Sequence, residues 1–532
     1  MYTGKGISHH CSKPQTVQNV IGICESLEDC NKEQVAAALL KNKMAKDQIE
    51  SGELFRLSTG GNPLSVIVGS SDLKSKRKPM KQISFQTIME LSTVLELSGL
   101  KTKKLCSSLR RSLGNEKVVE SNILKKMESL HDELDNFYES KTEEFISGNE
   151  VVIRDMVYVK NTSEFIRYII DDRGLDIHDA LVRISLDGGQ NFLKVIVNIF
   201  DPNNKHSTSS VYDDSGVKRC FILAIVEDVS EDNGNLQKVL DPLKLGEVDY
   251  SLAFDMKCGN SVMGISSHAG KHACLYCEGE CTLEPGNSRT LGSLDFWYNQ
   301  YASDGCPKSR MKEYKNVIKP RLVYLDDDPE LYIEHIIPPP ELHILMGVVD
   351  KLSVLLLTLW PAFEKWLKSH YVMMREYHGT GFDGNNASKL LSLIETLARD
   401  IVSDGRHDLI PIIDCFRKFA SVKQDCFGAE LSVNTSITIQ DFKDSFQYLQ
   451  VYIRDMFDEE LVTSWKIHVA ECHIVPFVLH NKSSLGNYAE QCGEAIHHKF
   501  KKTWSNYKRS VGHDNYDKNL KSAVVHFSSM NK

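Results

Sequence analysis

No stretch of this 532-residue chain stays apolar and uncharged for the ~18 residues that a membrane span needs. The nearest is LHILMGVVDKLSVLLLTLW, residues 342–360, which His343, Asp350 and Lys351 interrupt; it is expected to be a buried helix, and no membrane partner is expected. The opening stretch, MYTGKGISHHCSKPQ, has no apolar h-region, so no secretory signal is expected there. Internal repeats and long low-complexity segments are missing. Excess positive charge is missing too: the net charge of −9 disfavours a chain that binds nucleic acid over its whole surface. Wholesale disorder is excluded by 41% hydrophobic and 25% charged residues.

What is present is more specific. The length predicts two to four domains. Fourteen cysteines without a secretory leader imply reduced thiols in the cytosol or nucleus, free to bind metal. Residues 71–127 carry 13 Lys and Arg against 5 Asp and Glu, densest at KSKRKPMK, residues 74–81. That run reads as a solvated surface, a phosphate-binding patch or a nuclear import signal. Residues 31–60 look helical and end at the turn cluster STGGNPLS. Residues 83–113 predict two helices broken at Ser98-Gly99, the outline of a helix-turn-helix with a basic second helix, and 118–145 predict a further helix.

Near residue 180 the period changes from helical to alternating. DALVRISLDGG places Val182, Ile184 and Leu186 on one face and Arg183, Ser185 and Asp187 on the other, a strand with a polar edge. FLKVIVNIF (192–200) follows through a short turn as a hairpin partner, then CFILAIVEDV (220–229), a helix at 235–245 disturbed by Pro242, and the strand YSLAFD (250–255). A meander of three strands, a helix and a further strand is the order of an RNase H-like core. Beyond Cys277 the pattern turns helical, with candidates at 341–359, 361–377, 386–402, 438–456 and 487–504.

Cleavage of a phosphodiester by two cations needs carboxylates that converge. In an RNase H-like core they come from the first strand, the end of the fourth strand and a later helix. Asp187 and Asp255 occupy the first two places. GEAIHHKFKK offers Glu494, and Glu490 lies one turn earlier. An isolated acid of this kind is more often a turn former or a solvated side chain. Basic residues follow Glu494 at once, and Lys501 and Lys502 among them could grip phosphates. Cys274 and Cys277 form a Cys-x2-Cys knuckle, and WKIHVAECH supplies His468 and His473, together the four N and S ligands of a zinc tetrahedron. His268, His272, Cys281 and Cys472 are spare ligands. Cys11, Cys24 and Cys30 with His9 and His10 fit no standard module.

In this order the motifs resemble the Transib transposases and the catalytic subunit of the RAG (V(D)J) recombinase. The resemblance rests on LDGG at Asp187, on Asp255 nineteen residues before the knuckle, and on PPPELHILMGVVDKL and GTGFDGNNASKLL. It also rests on His-x4-His and on a glutamate helix ending in Phe500, Lys501 and Lys502. It covers roughly 180–510 and extends more faintly over 83–127. One departure is the helix Glu494-Ala-Ile-His-His-Lys, where the family has Glu-Ala-Arg-Asn-Lys or similar.

The resemblance implies an α/β fold: an RNase H-like core interrupted by a large, mostly α-helical zinc-binding insertion, after a helical N-terminal DNA-binding region. The expected divisions are 1–70 helical, 71–150 basic dimerisation and DNA-binding helices, 151–260 core, 261–484 insertion, and 485–532 catalytic helix and tail. It implies a nuclear cut-and-paste transposase, homodimeric on double-stranded DNA, with an accessory protein unspecified. The implied catalytic acids are Asp187, Asp255 and Glu494 with Mg²⁺ or Mn²⁺, and the zinc ligands are Cys274, Cys277, His468 and His473. DNA contacts are expected at Lys76, Arg77, Lys78, Lys103, Lys104, Arg110, Arg111, Lys501 and Lys502. Such enzymes nick DNA at terminal inverted repeats, form hairpins on the flanks and join 3′ ends to a target. The runner-up is a domesticated, catalytically inactive DNA-binding protein with the same fold. A plain RNase H-type nuclease ranks third, since simple hydrolysis needs no long insertion.

Overall fold

The computed structural model describes the backbone of 53–59 and 62–68 and then residues 83–531, apart from 96, 98, 114–118, 121, 190, 204–218, 267–270, 281–284, 324–325, 327, 376–380 and 429. Lys76, Arg77, Lys78, Cys11, Cys24, Cys30, His9, His10, His268 and Cys281 lie outside the described residues. The chain is a mixed α/β protein in two compact units, one of residues 1–138, 206–213 and 500–532, the other of 139–205 and 214–499.

The first unit contains an antiparallel hairpin, β1 (Glu53–Thr59) and β2 (Asn62–Val68). The helical expectation for 1–70 is therefore wrong over 53–68, where Phe55, Leu57, Val66 and Val68 carry β-formers on alternate positions around a Gly60-Gly61 connection. The expected helix pair is present at Phe85–Val94 and Gly99–Leu113, the second beginning at the glycine that marked the break. A third helix, Ile123–Asp135, packs on the last helix, Tyr516–Asn531. The Tyr138 hydroxyl lies 2.9 Å from that of Ser528. The C-terminal tail thus belongs to the same unit as the basic helices.

The second unit is built on a six-stranded sheet in the order β3-β4-β7-β6-β5-β8. Its strands are β3 (Tyr138–Ser147), β4 (Glu150–Val159), β5 (Leu181–Gly189), β6 (Phe192–Phe200), β7 (Cys220–Glu227) and β8 (Ser251–Phe254). The helix expected over 118–145 is present over Ile123–Asp135, but β3 replaces its last part, and the sheet begins before residue 151. β3 is an edge strand whose charged residues face solvent while Tyr138 and Phe145 are buried, so its charge density imitated a helix surface. β5 pairs antiparallel with β6 and parallel with β8, and every residue of β6 and β7 is buried. The polar face of β5 is not an exposed edge: Arg183 and Ser185 are each 2% exposed. Lys194 and Asn198, opposite Asp187 and Arg183 on β6, are buried as well. A polar row inside a sheet covered on both faces needs partners, and the later helices supply them.

Beyond β8 the unit is helical. Glu341–Leu359 has the expected bounds. It is long and apolar enough to cross a membrane by length and composition, yet half of its most apolar window is buried inside the protein. It packs against Gly384–Ser392, Ile410–Cys426 and Trp465–Cys472. The helix expected at 361–377 stops at Ser369, because Tyr371 takes φ 55°. The one expected at 386–402 is two helices, Gly384–Ser392 and Ile394–Ser403, meeting at Leu393. Thr435–Phe457 and Gln491–Ser505 match their expected positions within a few residues.

One glycine joins the sheet to the helical part. Gly264 has φ 74°, and a Cβ there would lie 2.0 Å from the Lys319 carbonyl oxygen. Gly264→Ala is expected to destabilise the protein by about 2 kcal/mol or more, combining a left-handed backbone with a rigid clash. A denaturant midpoint no lower than wild type would contradict this.

Candidate metal centres

Asp187 and Asp255 are brought together by register. Leu186 pairs with Phe254 on the parallel strands β5 and β8, so Asp187 is the next residue of β5 and Asp255 the first residue past the end of β8. Neighbouring strands lie about 4.8 Å apart, and in-step residues share a face of the pleat. Both aspartates line one pocket with Ser185, His343, Glu490 and Gly493. Asp255 also caps the helix Met256–Val262, its Oδ1 accepting the Cys258 N–H at 2.6 Å. Glu490 Oε1 accepts the His343 backbone N–H at 3.2 Å and lies 3.1 Å from its Nδ1. His497 Nε2 is hydrogen-bonded to Asp187 Oδ2, and Lys194 Nζ to His497 Nδ1. In each of these three acids one oxygen is tied to the protein. The other, Asp187 Oδ1, Asp255 Oδ2 or Glu490 Oε2, has no protein partner among the described residues. Oxygens without protein partners, on acids that line one pocket, are of the type that hard divalent cations take.

Glu494 lies on the helix Gln491–Ser505; its side chain is outside the described residues. Its backbone position shares a helical face with Gly493, which lines the pocket, and His497, which reaches Asp187. The LDGG motif now has a physical reason. A Cβ on Gly188 would sit 2.5 Å from Glu231 Oε2, and one on Gly189 would sit 2.8 Å from His497 Nε2. Two glycines after Asp187 let a carboxylate and an imidazole close on the strand from different elements.

Electrostatics mark the same place. Burial pushes the Asp187 carboxyl up, but His497, then Lys194 and His343, outweigh it and hold the carboxyl below its ordinary range. Burial pulls the Lys194 ammonium down to about 7 against the attraction of Asp187. Glu231, whose Oε2 accepts the Gly188 N–H at 3.0 Å, is pushed up to about 7 by burial and then by the charge of Asp255, with Lys257 opposing. A buried carboxyl pushed up partly by the charge of neighbouring aspartates is in a setting that a cation relieves. Glu231, Lys194 and His343 were missed in the sequence reading, since each is an unremarkable residue until the fold gathers it.

The second cluster is the expected quartet. Cys274, Cys277, His468 and His473 are all buried, and their ligand atoms lie within 4.8 Å of one another. Cys274 Sγ is 3.4 Å from His473 Nε2, Cys277 Sγ is 3.4 Å from His468 Nε2, and the two Nε2 atoms are 3.3 Å apart. Zn–S of ~2.3 Å and Zn–N of ~2.0–2.1 Å in a tetrahedron require S–N edges of roughly 3.5 Å and N–N edges of roughly 3.3 Å. The four residues therefore fit zinc. His473 Nδ1 is held by Glu334 Oε2 at 2.8 Å, and Ser288 donates to the other Glu334 oxygen at 2.7 Å. That carboxylate fixes the tautomer which leaves Nε2 for a metal. The Cys277 thiol is held far below its ordinary range, first by its hydrogen bond with Cys274 and then, against burial, by His468 and His473.

Arg289 is fully buried, its Nε donating to the carbonyls of Cys274 at 2.9 Å and Cys277 at 3.1 Å. It braces the knuckle's backbone, another contribution the sequence reading lacked. Of the spare ligands, His272 Nδ1 bonds the Glu278 carbonyl at 2.8 Å, and Cys472 lies outside the group. Lys103, Lys104, Arg111, Lys501 and Lys502 are exposed, and Arg110 is half-buried with a contact to the Glu120 carbonyl.

No family model matches this chain, and no curated protein matches it significantly.

Zinc analysis of the purified protein should give about one ion per chain, lost in Cys274→Ser. Glu334→Gln should keep the ligands but weaken zinc retention against a chelator ~10–100-fold. A Cys274→Ser protein with undiminished zinc would sink the quartet.

Proposed function

We propose that this protein is a DDE-type DNA recombinase of the Transib and RAG kind. In this reading it is a nuclear, homodimeric cut-and-paste transposase acting on double-stranded DNA at terminal inverted repeats. The observation that carries the reading is the in-step placement of Asp187, late in β5, and Asp255, just past β8, both lining a pocket with Glu490 and Gly493. The reading is further supported by the meander β5-β6-β7 with β8 returning parallel beside β5, the order expected of an RNase H-like core; the helices after β8 would be its zinc-binding insertion.

Asp187, Asp255 and Glu494, with Glu490 beside them, would hold Mg²⁺ or Mn²⁺. When bound, paired divalent ions activate the attacking oxygen and stabilise the leaving oxygen of an in-line displacement. The protein's own part is orientation. The N-cap bond fixes the Asp255 carboxylate, His343 fixes Glu490, and His497 holds Asp187 by its Oδ2. A carboxylate only accepts hydrogen bonds, so His497 Nε2 must carry the proton toward Asp187. The amine of Lys194 at Nδ1 supports that same tautomer. One such site serves a first nick by water, attack of the freed 3′-hydroxyl on the opposite strand to leave a flank hairpin, and later attack by the element's 3′-hydroxyl on target DNA.

Incubation with a duplex bearing the element's terminal repeat and Mg²⁺ or Mn²⁺ should yield flank hairpins, resolved on denaturing gels. Asp187→Ala, Asp255→Ala and Glu494→Gln should each abolish them, while Glu490→Gln should lower the yield about 10–100-fold through the loosened pocket. Duplex binding by the unmutated protein with no cleavage would instead favour the domesticated, inactive reading.

A further inference from the structure

Residues 307–321, PKSRMKEYKNVIKPR, carry six basic side chains and one acidic in a chain whose total is −9. Lys308, Arg310, Lys312 and Lys319 are exposed, and Lys315 is half-buried. Arg310 pairs with Glu313 at 2.5 Å and Arg321 with Asp295 at 3.0 Å. Lys308, Lys312, Lys315 and Lys319 form no ion pair among the described residues. Charge of one sign left unpaired on an acidic protein raises the local concentration of anions.

The segment is firmly held. Lys315 and Asn316 are consecutive residues at φ 52° and 62°, a conformation that residues with side chains seldom adopt. Arg289 Nη2 donates to the Lys315 carbonyl at 2.9 Å, and the same guanidinium braces both knuckle cysteines. Ser266 N–H donates to the Asn316 carbonyl at 2.8 Å, Ile318 N–H to the Gly264 carbonyl at 2.9 Å, and Leu322 N–H to the Val262 carbonyl at 2.8 Å. Val262 ends the seven-residue helix that Asp255 caps, a rise of roughly 10 Å. The lysines therefore stand on a support fixed to the zinc knuckle at one side and, at the other, to the helix leaving the acid pocket.

We propose that Lys308, Lys312, Lys315 and Lys319 form a phosphate-gripping surface for duplex DNA, held beside the acid pocket by the zinc knuckle. Lysine ammoniums on flexible stems suit contacts to phosphates, which set register without reading sequence. The identity of the partner as DNA rests on the cleavage reading above.

The test is duplex binding by the full chain, followed by fluorescence anisotropy over a salt series. Each phosphate contact contributes ~0.9 to the slope of log K against log salt, so K308A/K312A/K319A should flatten that slope by about 2–3. Zinc content and circular dichroism should stay unchanged, because the three side chains are exposed. K308E/K312E/K319E should bind more weakly still. An unchanged slope would overturn the proposal, as would a variant that loses only an acidic peptide while duplex binding persists. Asp187→Asn separates the two readings, since it should bind with the wild-type slope and cut nothing. If the wild type never cleaves but the lysine variant still flattens the slope, the cleavage reading fails and this surface stands. If the wild type cleaves with the slope unmoved, only the surface fails.

Discussion

The parallel pairing of β5 with β8 is the constraint on which the rest of the second unit depends. Four backbone pairs, from Arg183 with Ser251 to Leu186 with Phe254, set two aspartates side by side although 68 residues of chain separate them. A slip of one residue would turn one carboxylate to the opposite face of the sheet. Burial of Ile184, Leu186, Leu252 and Phe254 holds the register, since a slip would also turn that apolar set toward the partners of the polar row. Hydrophobic packing therefore sets the geometry of the polar site.

Around that pair the protein builds orientation rather than neutralisation. Each acid that lines the pocket is held by one oxygen, through a helix N-terminus, a histidine or an imidazole backed by a lysine. The glycines of LDGG make room for this, one for Glu231 and one for His497. The quartet follows the same rule at a greater distance along the chain. Glu334 aims His473, and Arg289 ties the knuckle's carbonyls to the backbone of Lys315. A buried guanidinium that donates to backbone carbonyls through Nε and Nη2 is costly to assemble and hard to rearrange, which suits a support.

Much of the second unit's sheet was legible because the strands in it announce themselves. FLKVIVNIF and CFILAIVE are near-continuous apolar runs, as strands covered on both faces must be, and strand position, ligand spacing and a family resemblance together pointed to Asp187, Asp255 and the quartet. The misreadings share a cause. YESKTEEFIS is charged like a helix surface because an edge strand can be solvated on one side, and the polar residues of β5 looked exposed because nothing local shows what covers them. Lys194, Glu231, His343, Glu334 and Arg289 had no motif, since each acquires its role only from a neighbour far away in the chain.

By itself the sequence determined the alternation of β5, the apolar runs of β6 and β7, the glycines after Asp187 and the ligand types of the quartet. These depend on short-range sterics and on side-chain chemistry that each residue carries with it. Tertiary structure alone decided that Asp187 and Asp255 stand in step, that His497 reaches Asp187, and that Arg289 joins the knuckle to the lysine-bearing segment. Those contacts arise from packing and register between distant segments, and local preference does not encode either.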